Sequence, residues 1–432
     1  MILYPHLDVN HEGHLTIGSL DTVALAKEFG TPAYIYDESV IRKNIRAYLS
    51  AASKHFGADA LPLFASKAFS CKEMYRIAAQ EGIGIDCVSG GELYTAKSCG
   101  FPAEKIYFHG NNKTDADIRQ ALDMGVGTFV VDNREELSAL NEEAGRRSIR
   151  QRILLRITPG IDPHTHQKII TGNVDSKFGS AIVTGQAMEI VKEALTCKGV
   201  ELAGIHCHIG SQIFSIDPFT DAASIMIRFL ADIRKETGVT LPELSLGGGL
   251  GVRYTDYDPE IDYESAIADM AGVIRSYAEE NEMEMPRIVL EPGRSIVAAA
   301  GITLYTVGSV KEIPGFRNYV SVDGGMPDNP RYALYQSQYT AVVANRADAP
   351  RTYRATLAGR CCESGDLLGE NMELQKPERG DILAVLVTGA YNYSMASNYN
   401  RIPRPPVVFV RDGEARVVIR RETFEDIVRN DL

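Results

Sequence analysis

Short apolar runs alternate with longer amphipathic segments between about residue 60 and residue 295. The runs are rich in β-branched residues, and the longer segments carry Ala, Glu, Lys and Leu at the helical period. Such alternation is typical of parallel strands joined by crossover helices. The eight candidate strands are Leu61–Ala65, Gly84–Val88, Lys105–Phe108, Thr128–Val131, Ile153–Ile157, Leu202–Cys207, Glu243–Leu246 and Ile288–Leu290. Eight such units predict an α/β fold of the (β/α)8 TIM-barrel type.

The pattern changes after about residue 305 to short strands interrupted by Gly, Pro and Asn. Val407–Val410 and Ala415–Ile419, separated by Arg-Asp-Gly-Glu, predict a terminal hairpin. Strand-like pieces at Leu15–Ile17 and Ala33–Tyr36 precede the barrel strands, and we expect them to join the same C-terminal all-β domain, a sandwich or small barrel. The predicted division is a barrel over 36–305 and a β-domain made of 1–35 and 306–432.

Composition limits the classes of partner. The net charge of -12 argues against nucleic acid and against anionic membranes, because both repel an acidic protein. No stretch reaches the ~18 apolar residues of a membrane span, and the N-terminus lacks the pattern of a signal peptide. The seven cysteines are scattered and include no CxxC pair, so we expect reduced thiols. A small-molecule substrate and a cytoplasmic location are therefore expected.

Polar residues follow nearly every candidate strand, at the barrel end where active sites form. Lys67 follows the first strand among apolar and small residues, where desolvation would favour the neutral amine that forms a Schiff base with an aldehyde. An isolated lysine at a strand end is more often a surface residue, so its role depends on its neighbours. Glu291 follows the last strand and could hold a ring nitrogen protonated, while His208 could stack on that ring.

The run from Leu246 to Gly251, Leu-Gly-Gly-Gly-Leu-Gly, offers successive backbone N–H groups of the kind that bind phosphate. It matches neither GxxxxGK[ST] nor GxGxxG, which disfavours a nucleoside triphosphate or a dinucleotide. Arg294 and Ser211 could bind the same phosphate. His206-Cys-His208 suggests zinc, but consecutive ligands on one strand cannot all converge and no further Cys or His cluster completes a tetrahedron, so we predict no metal. Together these groups describe a site for pyridoxal 5'-phosphate, whose ring accepts electrons when an amino acid loses carbon dioxide.

The hexapeptide Cys361-Cys362-Glu363-Ser364-Gly365-Asp366 places thiols beside two carboxylates, in a segment without the period of a packed element. Its composition suits proton transfer and polar recognition. A surface turn with two incidental cysteines explains the same residues equally well.

Eight motifs, in order along nearly the whole chain, resemble the bacterial diaminopimelate decarboxylase family. They are Phe64-Ala-Ser-Lys-Ala, Asp86-Cys-Val-Ser-Gly-Gly-Glu-Leu, Phe108-His-Gly-Asn-Asn-Lys, Gly204-Ile-His-Cys-His-Ile-Gly-Ser-Gln, Leu246-Gly-Gly-Gly-Leu-Gly, Glu291-Pro-Gly-Arg, Cys362-Glu-Ser-Gly-Asp and Gly389-Ala-Tyr. The resemblance implies the alanine-racemase-like fold of fold-type III enzymes and pyridoxal phosphate as cofactor. It also implies conversion of meso-2,6-diaminoheptanedioate to L-lysine and carbon dioxide, the last step of lysine biosynthesis.

The resemblance also implies roles for individual residues. Lys67 and Cys362 match the catalytic positions, the first as Schiff-base lysine and the second as proton donor. The positions that match cofactor contacts are Lys67, Asp86, His208, Ser211, Gly247, Gly248, Gly249, Glu291, Gly293, Arg294 and Tyr391. The positions that match substrate contacts are Arg294, Arg331, Tyr335, Glu363 and Tyr391. In this family the Cys-Glu-Ser-Gly-Asp loop enters the neighbouring subunit's site, which implies a homodimer with shared active sites.

Two departures from the family pattern affect these assignments. Cys361 stands where many relatives have no thiol, so this chain offers two candidate proton donors. The register with Glu363 favours Cys362, and Cys361 is the alternative. Gln-Ser-Gln follows Tyr335 where small residues are common. A decarboxylase of ornithine or arginine is the main alternative, although such substrates lack a second carboxylate for Arg331. A racemase is disfavoured, because it usually sets an arginine against the ring nitrogen and here Glu291 stands there. A non-catalytic regulatory homologue is also disfavoured, because such proteins typically lose the lysine or the cysteine and this chain keeps both.

Overall fold

The computed structural model describes residues 4–161 and 175–432. Strands β1 to β21 lie, in chain order, at Leu7–Val9, Leu15–Ile17, Leu20–Asp21, Ala33–Asp37, Leu61–Ala65, Gly84–Cys87, Ile106–Phe108, Thr128–Val131, Gln151–Thr158, Ser180–Ala181, Val200–His206, Glu243–Ser245, Arg287–Leu290, Gly301–Glu312, Asn318–Val322, Ala341–Val343, Tyr353–Ala358, Leu367–Leu374, Ile382–Val385, Val407–Arg411 and Glu414–Ile419. Helices α1 to α12 lie at Thr22–Phe29, Glu38–Phe56, Lys72–Glu81, Gly90–Ser98, Asp115–Met124, Arg134–Arg146, Gln186–Thr196, Asp217–Thr237, Tyr263–Glu280, Arg294–Val297, Arg331–Tyr335 and Phe424–Val428. Among the described residues, none of these helices is long and apolar enough to cross a membrane.

The chain forms two compact units. The barrel unit consists of the described residues of Ile45–Gly251 and Glu260–Gly293. Its parallel strands follow the cyclic order β5-β6-β7-β8-β9-β11-β12-β13, and β13 pairs with β5 to close the ring. Each of the eight strands predicted from the sequence is present, and the (β/α)8 prediction is confirmed.

Side-chain caps fix the points where chain direction reverses after the barrel strands. Ser89 accepts a hydrogen bond from the Glu92 N–H at the start of α4, and Thr114 forms a capping box with Asp117 at the start of α5. At the start of α6, the side chain of Asn133 accepts a hydrogen bond from the Glu136 N–H. Because a cap satisfies N–H groups that lack partners inside the helix, each helix begins at a defined residue close to its strand.

The second unit contains the N-terminal residues up to Asn44 together with Val252–Pro259 and Arg294–Leu432. Strand β4 lies inside its main sheet, antiparallel to β14 and parallel to β20, so the N-terminal segment joins the C-terminal β-domain as predicted. The predicted terminal hairpin is β20 and β21. Strand β2 instead pairs with β1 and β3 in a separate small sheet.

The barrel unit is shorter at both ends than the 36–305 expected from the sequence. The reason is the pairing of β4 with β14, which draws the flanking residues into the second unit: Tyr36 lies opposite Gly301 in this ladder. An apolar run alone does not reveal which sheet a strand joins, because strands of both units are buried on both faces.

One buried carboxylate organises the amino-terminal end of the barrel. Glu243, at the start of β12, is fully buried and accepts hydrogen bonds from Tyr107 Oη at 2.8 Å, Arg152 Nη2 at 2.9 Å and Arg287 Nη1 at 3.3 Å. These partners begin three other barrel strands. Glu243 therefore links four strands by charge-assisted bonds, at the barrel end where charge serves stability.

We expect Glu243→Gln to destabilise the barrel by about 2 kcal/mol, because the two arginines lose their shared anion while the volume is kept. The measurement is the shift of the urea midpoint followed by far-UV circular dichroism. The matched control is Glu264→Gln, which removes an exposed partner of Lys54 and should cost less than about 1 kcal/mol. Equal shifts in the two variants would contradict the role assigned to Glu243.

Candidate functional site

The interior of the barrel changes from apolar to polar within one pleat. Side chains two residues apart on a strand point the same way, so a residue two positions after a core residue lies above it, toward the carboxyl end. The N–H of His109 donates to the Cys87 carbonyl in β6, and that of Glu291 donates to the Gly247 carbonyl just after β12, both at 2.7 Å. These bonds continue the direction of β7 and β13 beyond their last residues. The core residue and the polar residue above it are Tyr107 and His109, Val130 and Asp132, Leu154 and Arg156, and Val289 and Glu291.

Glu291 is the best-connected member of this polar layer. It is 7% exposed and accepts a hydrogen bond from Ser245 Oγ at 2.8 Å on Oε1. His206 Nε2 lies 3.1 Å from its Oε2, and His109 Nε2 lies 3.4 Å from its Oε1. Burial by itself would raise the pKa of Glu291. The combined effect of His206 and His109 is opposite and larger, so the pKa lies well below its ordinary value. The site therefore holds a fixed carboxylate anion.

Burial favours the neutral form of two histidines at this end of the barrel, His206 and His208. Burial lowers the pKa of His206 to about 4, although Glu291 acts in the opposite direction. Burial and then the charge of Lys67 lower the pKa of His208 well below its ordinary value. The Nδ1 atom of His208 accepts the N–H of Gly248 at 3.3 Å, which fixes the plane of its ring. A neutral, oriented imidazole can cover the face of a planar ring.

The sequence did not reveal that His109 joins His206 and Glu291. Their ligand atoms all lie within 4.8 Å of one another. Spacing along the chain points to His206 and His208, two residues apart, whereas the actual group comes from three strands. The hydroxyl of Ser245 also donates to Glu291, so the three residues form a site in which a carboxylate accepts hydrogen bonds.

Lys67 lies in the short turn Ser66–Ala68 that follows β5, at the same end of the barrel. Its side chain is exposed, which differs from the apolar surroundings expected from the sequence. Asp86 is 3% exposed and its Oδ1 atom has no hydrogen-bond partner among the described residues. Burial raises the pKa of Asp86, while His109 and Lys67 lower it. The structure thus brings Lys67, Asp86, His208 and Glu291 within electrostatic reach of one another.

The glycine turn after β12 packs directly against the ends of neighbouring strands. A Cβ on Gly247 would lie 2.5 Å from the carbonyl oxygen of Cys207, and one on Gly248 would lie 2.2 Å from that of Glu291. Gly249 is equally restricted, at 2.3 Å from Gly210. No side chain fits at these positions, so the turn presents backbone alone, as an anion-binding turn requires. Ser211 is half-buried after β11.

Gly293 also belongs to the barrel unit, and a Cβ there would lie 2.9 Å from that of Ala65. The close approach joins the chain after β13 to the end of β5. It keeps the Glu291-Pro-Gly segment against the strand that leads to Lys67.

In the second unit, arginines and tyrosines alternate in a stack. The guanidinium of Arg294 lies 4.7 Å from the ring centre of Tyr391, and that of Arg331 lies 5.2 Å from the same ring. Arg331 also lies 4.4 Å from the ring of Tyr335, and Arg294 donates to Tyr254 Oη at 2.7 Å. Cation–π contacts hold both arginines in place.

Two features of this stack indicate a binding function. Arg331 is 6% exposed, and its Nε atom has no hydrogen-bond partner among the described residues, so a buried donor is available for a carboxylate. Tyr391 has φ of +63°, which a tyrosine rarely adopts. Strained residues of this kind are concentrated at functional sites.

The cysteine loop distinguishes its two thiols. Cys362 is exposed, and its N–H donates to Asn400 Oδ1 at 2.8 Å. Cys361 is half-buried, and burial together with Asp366 raises the pKa of its thiol to about 12. Glu363 is exposed, and its carboxylate accepts the N–H of Gly365 at 3.1 Å within the same loop.

Asp132 and Arg156 belong to the polar layer of the barrel but were not singled out from the sequence, and Glu92 on α4 was noted only as part of a motif. Asp132 and Arg156 lie 3.9 Å apart, and the signal for both was their position two residues after an apolar core residue. Burial raises the pKa of Glu92 to about 7, with Asp86 acting in the same direction. The Ser-x-x-Glu pattern that contains Glu92 is also that of a helix cap, so this acid carried no separate signal.

Comparisons with known proteins agree with this geometry. Residues 42–298 match the family model described as the pyridoxal binding domain of pyridoxal-dependent decarboxylases. The diaminopimelate decarboxylase of Halalkalibacterium halodurans is 49% identical over 424 residues, covering 98% of this chain and 96% of the relative. That of Bacillus subtilis is 46% identical over 432 residues, covering 100% and 98%. The crystal structure of diaminopimelate decarboxylase from M. jannaschii with L-lysine has a TM-score of 0.91, with 36% identity over 99% of this chain and 98% of that one.

The neutral state of buried His206 predicts a loss of stability in acid. Between pH values of about 6.5 and about 4 this histidine binds a proton in the unfolded chain but not in the folded one, so stability falls as the pH is lowered through this range. His206→Gln keeps an N–H donor for Glu291 but cannot titrate, and should reduce the loss by about 3 kcal/mol. Urea midpoints measured across this range test the effect.

The control for this experiment is His11→Gln, since the side chain of His11 is 91% exposed. It should leave the pH dependence of the midpoint unchanged. If His206→Gln loses stability in acid as steeply as the unmodified protein, His206 is not the buried neutral histidine described above.

Proposed function

The chain belongs to the diaminopimelate decarboxylases, within the wider family of pyridoxal-dependent decarboxylases, and we propose that it catalyses their reaction with Lys67 and Cys362 as catalytic residues. The reaction removes carbon dioxide from meso-2,6-diaminoheptanedioate and yields L-lysine, the last step of lysine biosynthesis. The observation that carries the proposal is the buried carboxylate of Glu291, ionised and hydrogen-bonded at the same barrel end as Lys67.

The residues at the barrel end fit pyridoxal phosphate. When bound, this cofactor supplies an electron sink for the pair of electrons left when carbon dioxide departs. Glu291 would hold its ring nitrogen protonated, His208 would cover the ring face, and Lys67 would bind its aldehyde carbon. Backbone groups and hydroxyls would hold the phosphate, and the residues assigned to this task are Ser211, Gly247, Gly248, Gly249, Gly293, Arg294 and Tyr391. Asp86 lies next to the lysine charge and completes the cofactor set.

The substrate carries an amino group and a carboxylate at each end. We assign its far carboxylate to Arg331, whose buried Nε–H is available, and its far ammonium group to Glu363. Tyr335, Tyr391 and Arg294 complete the substrate-binding set. Tyr335 and Tyr391 stack against Arg331 and restrict the directions in which its guanidinium can donate.

Cys362 is assigned as the proton donor. Its exposed thiol can approach a substrate carbon, whereas burial and Asp366 hold a proton firmly on Cys361. Proton transfer requires the donor to reach the reacting atom, so access favours Cys362 over its neighbour.

We also propose that two chains form a homodimer in which the cysteine loop of one serves the site of the other. The support is that Glu363 and Cys362 are exposed, and that among the described residues the carboxylate of Glu363 bonds only within its own loop. In this arrangement the barrel domain binds the cofactor, and the β-domain provides substrate-binding and dimer-interface residues. All seven cysteines are free thiols, which supports a reducing compartment and hence a cytoplasmic location.

The function is tested by carbon dioxide release from meso-diaminopimelate, ornithine and arginine, each with added pyridoxal phosphate. We expect meso-diaminopimelate to be preferred by on the order of 10⁴ in kcat/KM, because ornithine and arginine leave the buried Arg331 without a carboxylate. Arg331→Gln should reduce this preference. Equal rates with the three substrates would contradict the proposal.

The control for this assay is Lys67→Ala. Borohydride reduction should attach the cofactor to the peptide that contains Lys67 in the unmodified protein and to no peptide in the variant, as read by mass spectrometry. Retained attachment elsewhere would overturn the lysine assignment independently of the rates.

Cys362→Ala should lower kcat by about 100-fold while cofactor binding is kept, since a positioned general acid contributes about this factor. Cys361→Ala is the matched control and should change kcat by less than about 3-fold. Single-turnover rates with both variants make the comparison. The reverse order of effects would assign proton transfer to Cys361.

A further inference from the structure

Asp366, the last residue of the cysteine hexapeptide, is assigned above neither to catalysis nor to binding of substrate or cofactor. Its side chain is 3% exposed, and its two carboxylate oxygens accept backbone N–H groups from different segments. Oδ1 accepts the N–H of Met326 at 2.6 Å, and Oδ2 accepts the N–H of Cys361 at 2.7 Å. Because each oxygen has its own donor, the carboxylate forms a bridge between the two segments.

The two glycines that pack against this carboxylate have no room for a side chain. A Cβ on Gly325 would lie 2.4 Å from Oδ1, and one on Gly359 would lie 2.2 Å from Oδ2. Two further bonds close the bridge: the N–H of Gly359 donates to the Asp366 carbonyl, and that of Arg360 donates to the Gly324 carbonyl, both at 2.9 Å.

The segment on the other side of the bridge is itself anchored. Asp328 accepts the N–H of Gly325 at 2.9 Å on Oδ2 and the hydroxyl of Tyr305 on Oδ1. This segment leads directly into α11, which begins at Arg331. The cysteine loop is therefore attached, through Asp366, to the anchored segment that carries Arg331.

We propose that Asp366 is a positioning residue that holds the Cys361 N–H and the Met326 N–H. Held in this way, the loop exposes the thiol of Cys362 on its outer surface and keeps the thiol of Cys361 half-buried. The proposal rests on the assignment of Cys362 and Arg331 to proton donation and substrate binding. Asp366 touches neither substrate nor cofactor in this scheme. Its effect is to set the register of the loop relative to Arg331.

Cys361 and Cys362 lie in a bend of the loop, where Cys361 is half-buried and Cys362 is exposed. The bond to the Cys361 N–H selects which thiol faces outward. Without it the loop can shift by one residue and present Cys361 in place of Cys362. The negative charge of Asp366 next to Cys361 also works against ionisation of that thiol, as its raised pKa shows.

The test compares Asp366→Asn with the unmodified full-length protein by alkylation with iodoacetamide, followed by peptide mass spectrometry of the two cysteines. An asparagine accepts with one oxygen only, so one bridging bond is lost. We expect the labelling of Cys361 relative to Cys362 to rise about 10-fold, the factor for one charge-assisted hydrogen bond, and kcat to fall by a similar factor. An unchanged labelling ratio in a folded variant would overturn the proposal.

Asp381→Asn is the matched control. Asp381 belongs to the same unit and accepts the N–H of Glu378 at 2.6 Å and the side-chain amide of Asn345 at 2.9 Å, but it contacts neither segment of the bridge. It should lower the melting temperature comparably and leave the labelling ratio unchanged. A ratio that rises equally in Asp381→Asn would show general destabilisation and contradict the positioning role.

Two further measurements cover the case in which Asp366→Asn does not fold. Gly359→Ala keeps Asp366 but places a methyl group against its Oδ2 atom, and should raise the labelling ratio in the same direction. In the unmodified protein, the Met326 and Cys361 amides should be protected from hydrogen exchange to a similar degree, since one carboxylate holds both. Fast exchange at either amide would overturn the proposal. Because these readouts do not use turnover, failure of the Cys362 assignment would leave them intact and be recognised separately.

Discussion

Burial of charge at the carboxyl end of the barrel is the constraint on which the rest of the site depends. Closure of eight strands places Glu291 and Arg156 beside an apolar layer, where an unpaired charge would cost several kcal/mol. Ser245, His206 and His109 therefore surround Glu291 with donors and hold it ionised. A carboxylate that is charged and oriented before any ligand enters does not need to reorganise when it meets a protonated ring nitrogen, and such preorganisation is a main source of electrostatic catalysis.

The second unit keeps charge buried by different means. Arg294 and Arg331 both lie over the ring of Tyr391, and Arg331 also lies over the ring of Tyr335. Aromatic faces stabilise a guanidinium without occupying the N–H groups that lie in its plane. A carboxylate partner from the protein would have stabilised Arg331 more strongly but would have occupied the N–H groups that we assign to a substrate carboxylate. Stacking therefore suits an arginine whose partner arrives with each turnover.

The sequence predicted what depends on local pattern and missed what depends on closure of the barrel. All eight strands were recognised because strands buried on both faces are continuous apolar runs. The position of Lys67 and Glu291 at the carboxyl end of the barrel followed from the sequence because each comes just after such a run. The contact of His109 and His206 with Glu291 joins three strands that are distant in sequence, so no spacing could reveal it. The exposure of Lys67 and the separate small sheet formed by β1, β2 and β3 likewise follow from tertiary packing.

Groups assigned to react and groups assigned to recognise are distributed differently between surface and interior. Lys67 and Cys362 are exposed, whereas Glu291 and Arg331 are buried. A residue that forms a bond or passes a proton must change partners in every cycle, which fixed neighbours would hinder. A residue that orients a ligand benefits from fixed neighbours, because they hold its geometry. Cys361 illustrates the difference. It is chemically identical to Cys362, but its N–H donates to Asp366, and this bond holds it half-buried. Position within the loop, and not residue type, thus decides which thiol is available for chemistry.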